Sequence, residues 1–324
     1  VSGFSRERLE RAQVWIGAVA LLMGGAIGLT RPGLAPLFAS LVTPALGVLL
    51  YATFLQTPFP ALRRAFVNGR YLAAVLTMNF VIVPIVAWFL ARLAPQDPAV
   101  LIGMFLVLLT PCIDYVIVFT GLGGGDDQLV LASTPLLMLL QMALLPIYLW
   151  VFLGGDIVTV VAAGPFLEAF LLLIVAPLGL AVATQWWARR HPSGATWVTV
   201  AHWLPVPFLA LTLLTVVASQ VAMIEGAFGR VAGVAPLYGA FLTIMVVLGR
   251  VGASAFGLSS REGRALIFSS VTRNSLVVLP LALALGPGYE LTPIVVVTQT
   301  MVELAGLLAL ARLAPWLVPA RSLA

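Results

Sequence analysis

An apolar run should carry none of the three residues that stand at the middle of residues 98–121. The run is long enough to cross a bilayer, which takes about 20 apolar residues. At its centre lie Pro111, the chain's single cysteine Cys112, and the acid Asp114. A carboxylate at bilayer depth costs roughly 2.5–3.5 kcal/mol on insertion scales. Pro111 has no N–H, so it frees a carbonyl one turn earlier. Irregular backbone at that depth persists only inside protein or along a cavity. Cys112 is a soft ligand, and one thiol alone holds an ion weakly enough to release it. Asp114 can accept a hydrogen bond or carry a proton. Together they predict a binding site at mid-depth, with Pro111, Cys112 and Asp114 in it. A second reading of Cys112 stays open, that of a small apolar filler.

Another apolar run, 264–286, is broken in the same way. It holds Ser269, Ser270, Thr272, Arg273, Asn274 and Ser275, with Pro280 beyond. Arg273 lies about ten residues from each end of this run, too deep to reach water easily. A buried arginine needs an acceptor, and Asp114 at matching depth is the expected partner. Thr272, Asn274 and Ser275 flank the arginine as candidate substrate contacts. Whether the pair is a structural lock or a site that alternates between partner and ligand is open, and the two roles can coexist. Glu303 lies in a third run, 291–318, and shares a helix face with Gln299 and Thr300 at three- to four-residue spacing. Ionisable groups at depth mark proton relays, so Glu303 and Asp114 are the proton-coupling candidates. The alternative for Glu303 is a hydrogen-bonded acid gluing one helix to its neighbours. Asn79, Ser133, Thr134, Gln141, His202 and Gln220 are isolated polar residues; interhelical hydrogen bonds explain most of them, and a position facing substrate stays open for each.

The elements that must position these groups are membrane helices. The 324 residues are 61% hydrophobic and 9% charged, whereas soluble domains are about 25% charged. Mean hydropathy is +1.10. Windows of about 20 apolar residues give ten spans: 12–30, 39–57, 71–93, 98–121, 128–153, 165–186, 199–222, 234–257, 264–286 and 291–318. The first is read as an uncleaved helix and not a leader, because equally apolar spans follow it. Short loops with turn residues or charge separate them, among them Arg189 to Gly194 between spans 6 and 7. All 17 basic residues are arginine. With the N-terminus cytoplasmic, thirteen fall on the cytoplasmic side, only Arg31, Arg92 and Arg230 outside, and Arg273 at mid-depth, a strong positive-inside bias. Both termini are therefore expected in the cytoplasm, in the plasma membrane. Spans 1–5 (residues 1–162) and 6–10 (residues 163–324) are of similar length, and spans 4 and 9 carry matching polar breaks. Five spans is an odd number, so the second half enters in the opposite sense. That is an inverted repeat, which sets substrate and ion sites on paired broken helices.

Other functions are poorly served by this chain. A lone cysteine gives no internal disulfide and no multi-thiol metal site. The formal charge of +5 is spread over short loops, so it reports topology and no nucleic-acid partner. No nucleotide loop, HExxH helix or G-x-S-x-G elbow stands in a usable context. The chain is expected to be no enzyme, to hold no cofactor, and to have the lipid bilayer and a small solute as its partners.

Ten spans in two inverted repeats, with breaks in spans 4 and 9, resemble the bile acid/sodium symporter superfamily. Within it, Thr110-Pro111-Cys112 is similar to the [AT]-P-C segment of the arsenical-resistance permeases, along nearly the whole chain. The resemblance implies an all-α integral membrane fold with helices 4 and 9 crossing near the midplane. It also implies proton-coupled export of arsenite or antimonite, with Cys112 as the metalloid ligand. Span 9 departs from the family. Its usual Asn-Asn-Phe-Glu is here Arg273-Asn274-Ser275-Leu276. Glu303 corresponds to a second family glutamate in span 10. The Glu and Gln-Asn cluster of the sodium-coupled branch is missing, so a sodium site of that kind is not expected. The fixed charge of Arg273 can instead occupy the space of such a cation. Two rival functions stay open: a sodium-independent organic-anion carrier using Arg273, and a membrane sensor or scaffold without flux.

Overall fold

The computed structural model describes residues 6–56, 68–112, 115–154, 171–220, 228–285 and 288–319. Among the described residues the regular structure is helical throughout, and the only strand-like feature is one antiparallel bridge between Pro111 and Arg273. Five helices are long and apolar enough to cross a membrane: Pro32–Gln56, Gly69–Leu93, Asp127–Leu153, Ala232–Ala255 and Leu291–Leu317. At 1.5 Å rise per residue, each exceeds the roughly 30 Å hydrocarbon core. Large apolar side chains cover the outside, up to Trp316 at 84% exposure. Water would not tolerate so much exposed apolar surface. This is a multi-pass membrane protein.

The helices are numbered here in chain order. They are α1 (Arg6–Thr30), α2 (Ala35–Gln56), α3 (Gly69–Leu93), α4 (Pro98–Leu108), α5 (Tyr115–Leu122), α6 (Asp127–Leu153) and α7 (Ala176–Ala188). Then come α8 (Pro192–Ala201), α9 (Pro205–Gln220), α10 (Phe228–Ala255), α11 (Ser260–Val271), α12 (Ser275–Leu283) and α13 (Leu291–Leu317). Their starts are written in the sequence. Asp97 accepts from the Ala99 N–H at 2.9 Å ahead of Pro98, and Asp126 accepts from Leu129 N–H at 3.2 Å. Ser259 and Glu262 form a reciprocal capping box on α11.

The chain divides into two compact units. The first comprises Val1–Thr57, Val161–Phe228 and Leu283–Glu290, and so holds α1, α2, α7, α8 and α9. Here α1 and α9 approach closely at Gly24, where a Cβ would lie 2.6 Å from the Leu214 carbonyl. Small residues allow such approaches in lipid. Polar side chains tie the rest. Trp197 Nε1 donates to Tyr51 Oη at 2.8 Å, which also meets Thr184 Oγ1 at 3.0 Å. Gln185 donates to the Leu55 carbonyl and Gln56 to that of His202.

One sequence expectation is corrected in this unit. The break expected at 189–194 is there but shorter, at 189–191 after α7 ends at Ala188, and where span 7 was expected to begin at 199, helix α8 already runs from Pro192 to Ala201. The chain then bends by 44° into α9. Proline opens both helices, a position where its missing N–H costs nothing. Gly194 marks a close approach and not a turn: a Cβ there would lie 2.8 Å from the Ala188 backbone.

The second unit comprises Pro58–Val160, Gly229–Ala282 and Leu291–Ala324. It holds α3 to α6, α10, α11, most of α12, and α13. Each unit therefore draws on both halves of the sequence. In α3, a π turn at Met78–Ile82 precedes Pro84. Pro84 has no N–H for the Phe80 carbonyl, and the Tyr148 hydroxyl of α6 donates to that oxygen at 2.6 Å. At one end of the unit the loops meet. Arg264 donates to the carbonyls of Gly124 and Val318, Ser260 to that of Pro319, and Asn68 to Glu262. At the other end Thr292 donates to the Ala99 carbonyl. Antiparallel passage of the segments requires this sorting.

Candidate functional site

All described parts of the candidate site lie in the second unit. Helix α4 stops at Leu108 and α11 stops at Val271; the chain resumes as α5 at Tyr115 and α12 at Ser275. The two breaks lie side by side. Cys112 N–H donates to the Thr272 carbonyl at 3.2 Å, and Asn274 N–H to the Thr110 carbonyl at 2.8 Å. Pro111 and Arg273 face each other across this short bridge.

The donors turned aside at the breaks account for the acceptors left behind. In an uninterrupted helix Cys112 N–H would serve Leu108, Arg273 N–H would serve Ser269, and Asn274 N–H would serve Ser270. Here Cys112 and Asn274 pair across the breaks, and Arg273 N–H donates to Glu303 Oε2 at 2.8 Å. The carbonyls of Leu108, Ser269 and Ser270 thus lose their usual partners. The Arg273 guanidinium takes all three: Nη1 meets Leu108 O at 3.2 Å, and Nη2 meets Ser269 O at 3.0 Å and Ser270 O at 2.8 Å. Nη2 also donates to Asn79 Oδ1 at 2.7 Å. Phe241 of α10 presents its ring at 5.6 Å from the guanidinium carbon, within cation–π range. Arg273 is fully buried. The negative ends of two helix dipoles converge on it.

Around this centre the polar residues interlock. Thr110 Oγ1 donates to the carbonyls of Leu106 and Val107, the second of which Pro111 cannot serve. Asn274 caps α12 by accepting from Val277 N–H at 3.2 Å. Thr300 Oγ1 donates to Ser275 Oγ at 2.6 Å, and Thr272 Oγ1 to Phe268 O at 2.8 Å. Gln299 donates through Nε2 to Glu303 Oε2. These assignments leave the Asn274 Nδ2 donor and the Gln299 Oε1 acceptor buried without a partner. Gln141 of α6 leaves both its amide atoms so.

The structure thus brings Pro111, Cys112, Thr272, Arg273, Asn274, Ser275 and Glu303 to one place, all of them buried. Asp114 lies outside the described residues, and so does the expected pairing of Asp114 with Arg273. Among the described residues no three His, Cys, Asp or Glu side chains gather as a metal site. Sequence reasoning missed Asn79 as an arginine partner. Its signal was faint: one amide in an apolar span, five residues before Pro84. It also missed the backbone carbonyls, which no residue type announces.

A sequence model of the Sodium Bile acid symporter family matches residues 43–227, more than half of the 324-residue chain. The chain belongs to that family. Among curated proteins none matches it. Members of the sodium bile acid symporter family are transporters, so this chain is a membrane transporter and no enzyme. The matched stretch contains Asn79 and the first break with Cys112, and ends before α10 to α13.

Proposed function

We propose that the protein is a secondary transporter exporting a trivalent metalloid hydroxide, arsenite or antimonite, across the plasma membrane. The observation that carries this reading is the placement of Cys112: a buried thiol in the break of α4, hydrogen-bonded through its N–H to the facing break. At neutral pH arsenite is mostly an uncharged hydroxide. A soft thiol with neutral donors and acceptors suits it, and Asn274 Nδ2 and Gln299 Oε1 are such groups. Asp114, Thr272 and Ser275 complete the proposed substrate contacts. Glu303, with Asp114, is the proposed proton carrier. The ten-span inverted repeat, with both termini cytoplasmic, is the architecture in which this site alternates its access.

The organic-anion reading asks Arg273 to meet substrate. Its Nη1 and Nη2 already serve four oxygens, which an anion would have to displace. The metalloid reading asks for no such exchange.

The test is arsenite accumulation in everted membrane vesicles, energised by a proton gradient. The wild type accumulates arsenite, and Cys112→Ser, equally expressed, does not, because a hydroxyl is a harder ligand. Full accumulation by the serine variant would make the thiol mere packing. No accumulation by the wild type, with uptake of organic anions instead, would favour the arginine-based carrier.

A further inference from the structure

Transporters with broken helices commonly hold their coupling cation on unwound carbonyls and half-helix C-terminal ends. In this chain those acceptors are already taken. Three of the carbonyls that lose their helical donors at the two breaks, those of Leu108, Ser269 and Ser270, are served by the Arg273 side chain, with Asn79 Oδ1 as a fourth oxygen. They come from the C-terminal ends of α4 and α11, where helix dipoles favour positive charge. A charge held there on a side chain cannot leave, exchange with solution or respond to a sodium gradient.

We propose that the Arg273 guanidinium is a resident, covalently tethered cation occupying the coupling-ion position of the crossing, which makes the transporter independent of sodium. The inference rests on the crossing being the transport site, as above, and not on the substrate being a metalloid. Arginine suits this post better than lysine. Its planar fork reaches four acceptors from two nitrogens and stays charged when buried. Removing the side chain should leave a cage of four oxygens that takes up a small free cation.

The purified protein in detergent is melted in sodium chloride and in choline chloride, as wild type, Arg273→Ala and Arg273→Lys. The wild type should unfold at the same temperature in both salts. Arg273→Ala should unfold at a lower temperature and recover, saturably, with millimolar guanidinium but not with urea, the uncharged molecule of the same shape. Arg273→Lys should fold and stay indifferent to sodium. A saturable sodium-specific rise in the wild type would overturn the proposal, with or without a foldable variant. So would equal recovery of Arg273→Ala by urea, or no recovery by any cation. These readouts need no substrate, so a failed arsenite assay and a failed cation assay are told apart.

Discussion

Asn79 uses both ends of its amide at the crossing: Oδ1 takes the guanidinium at 2.7 Å, and Nδ2 donates to Val75 O at 3.0 Å and Ser269 Oγ at 3.3 Å. Truncating it removes a hydrogen bond to a buried charge, an interaction worth about 1.5–3 kcal/mol. Asn79→Ala should therefore lower the unfolding temperature clearly, while Asn68→Ala, at the rim, should lower it less. Comparable losses would mean that the arginine does not depend on this amide. Glu303 accepts from Arg273 N–H and from Gln299. Glutamine at 303 keeps an acceptor but cannot carry a proton. Glu303→Gln should fold and bind substrate yet lose gradient-driven transport, measured as uptake with and without an imposed pH difference. Uptake that keeps its full pH-gradient dependence would move the carrier to Asp114.

Two elements owe their geometry to a residue on a neighbour. The Phe80 carbonyl of α3 cannot be served by Pro84 and receives the Tyr148 hydroxyl. Tyr148→Phe should cost about 1–2 kcal/mol. In a Pro84→Ala background, where the helix regains a donor, the cost should shrink. A double-mutant cycle measures that coupling, and additive costs would deny it. At the start of α11, burial acts to raise Glu262, but hydrogen bonds from Ser259 and Asn68 and the charge of Arg70 outweigh it and hold the carboxyl below its usual 4.5. A folded value below the unfolded one gives stability that is present above pH about 4.5 and lost as pH falls through the depressed value. Glu262→Gln should flatten this acid-side loss. An identical acid profile in both proteins would show that the cap contributes nothing through its charge.

At the scale of the molecule, the loops bearing Gly124, Arg261, Arg264 and Val318 meet at one end of the second unit. The proposed topology, from the arginine asymmetry, puts that end in the cytoplasm. Reporter fusions in the Gly123 loop and at Ser322 should both report the cytoplasm, and an external signal at either would reject the topology. The two units interleave both halves of the chain, whereas sequence reading divides it at residue 162. The two divisions answer different questions, since a repeat is a run of sequence and a compact unit is a set of contacts.

Hydropathy alone determined that this chain is a helical membrane protein, because lipid leaves backbone groups no other partner. Proline, charge and polar residues inside apolar runs were enough to locate both breaks, since each is costly at depth and visible in one dimension. The bend at His202–Leu204 was not legible, because its residues lie inside one continuous apolar window. Nor was the arginine's role. The sequence offers Arg273 an acid, Asp114, which lies outside the described residues. What the sequence did not display is that Asn79 and three carbonyls accept from its guanidinium. Those carbonyls became acceptors only when two distant breaks were brought together and exchanged their N–H donors, and only the tertiary structure could decide that.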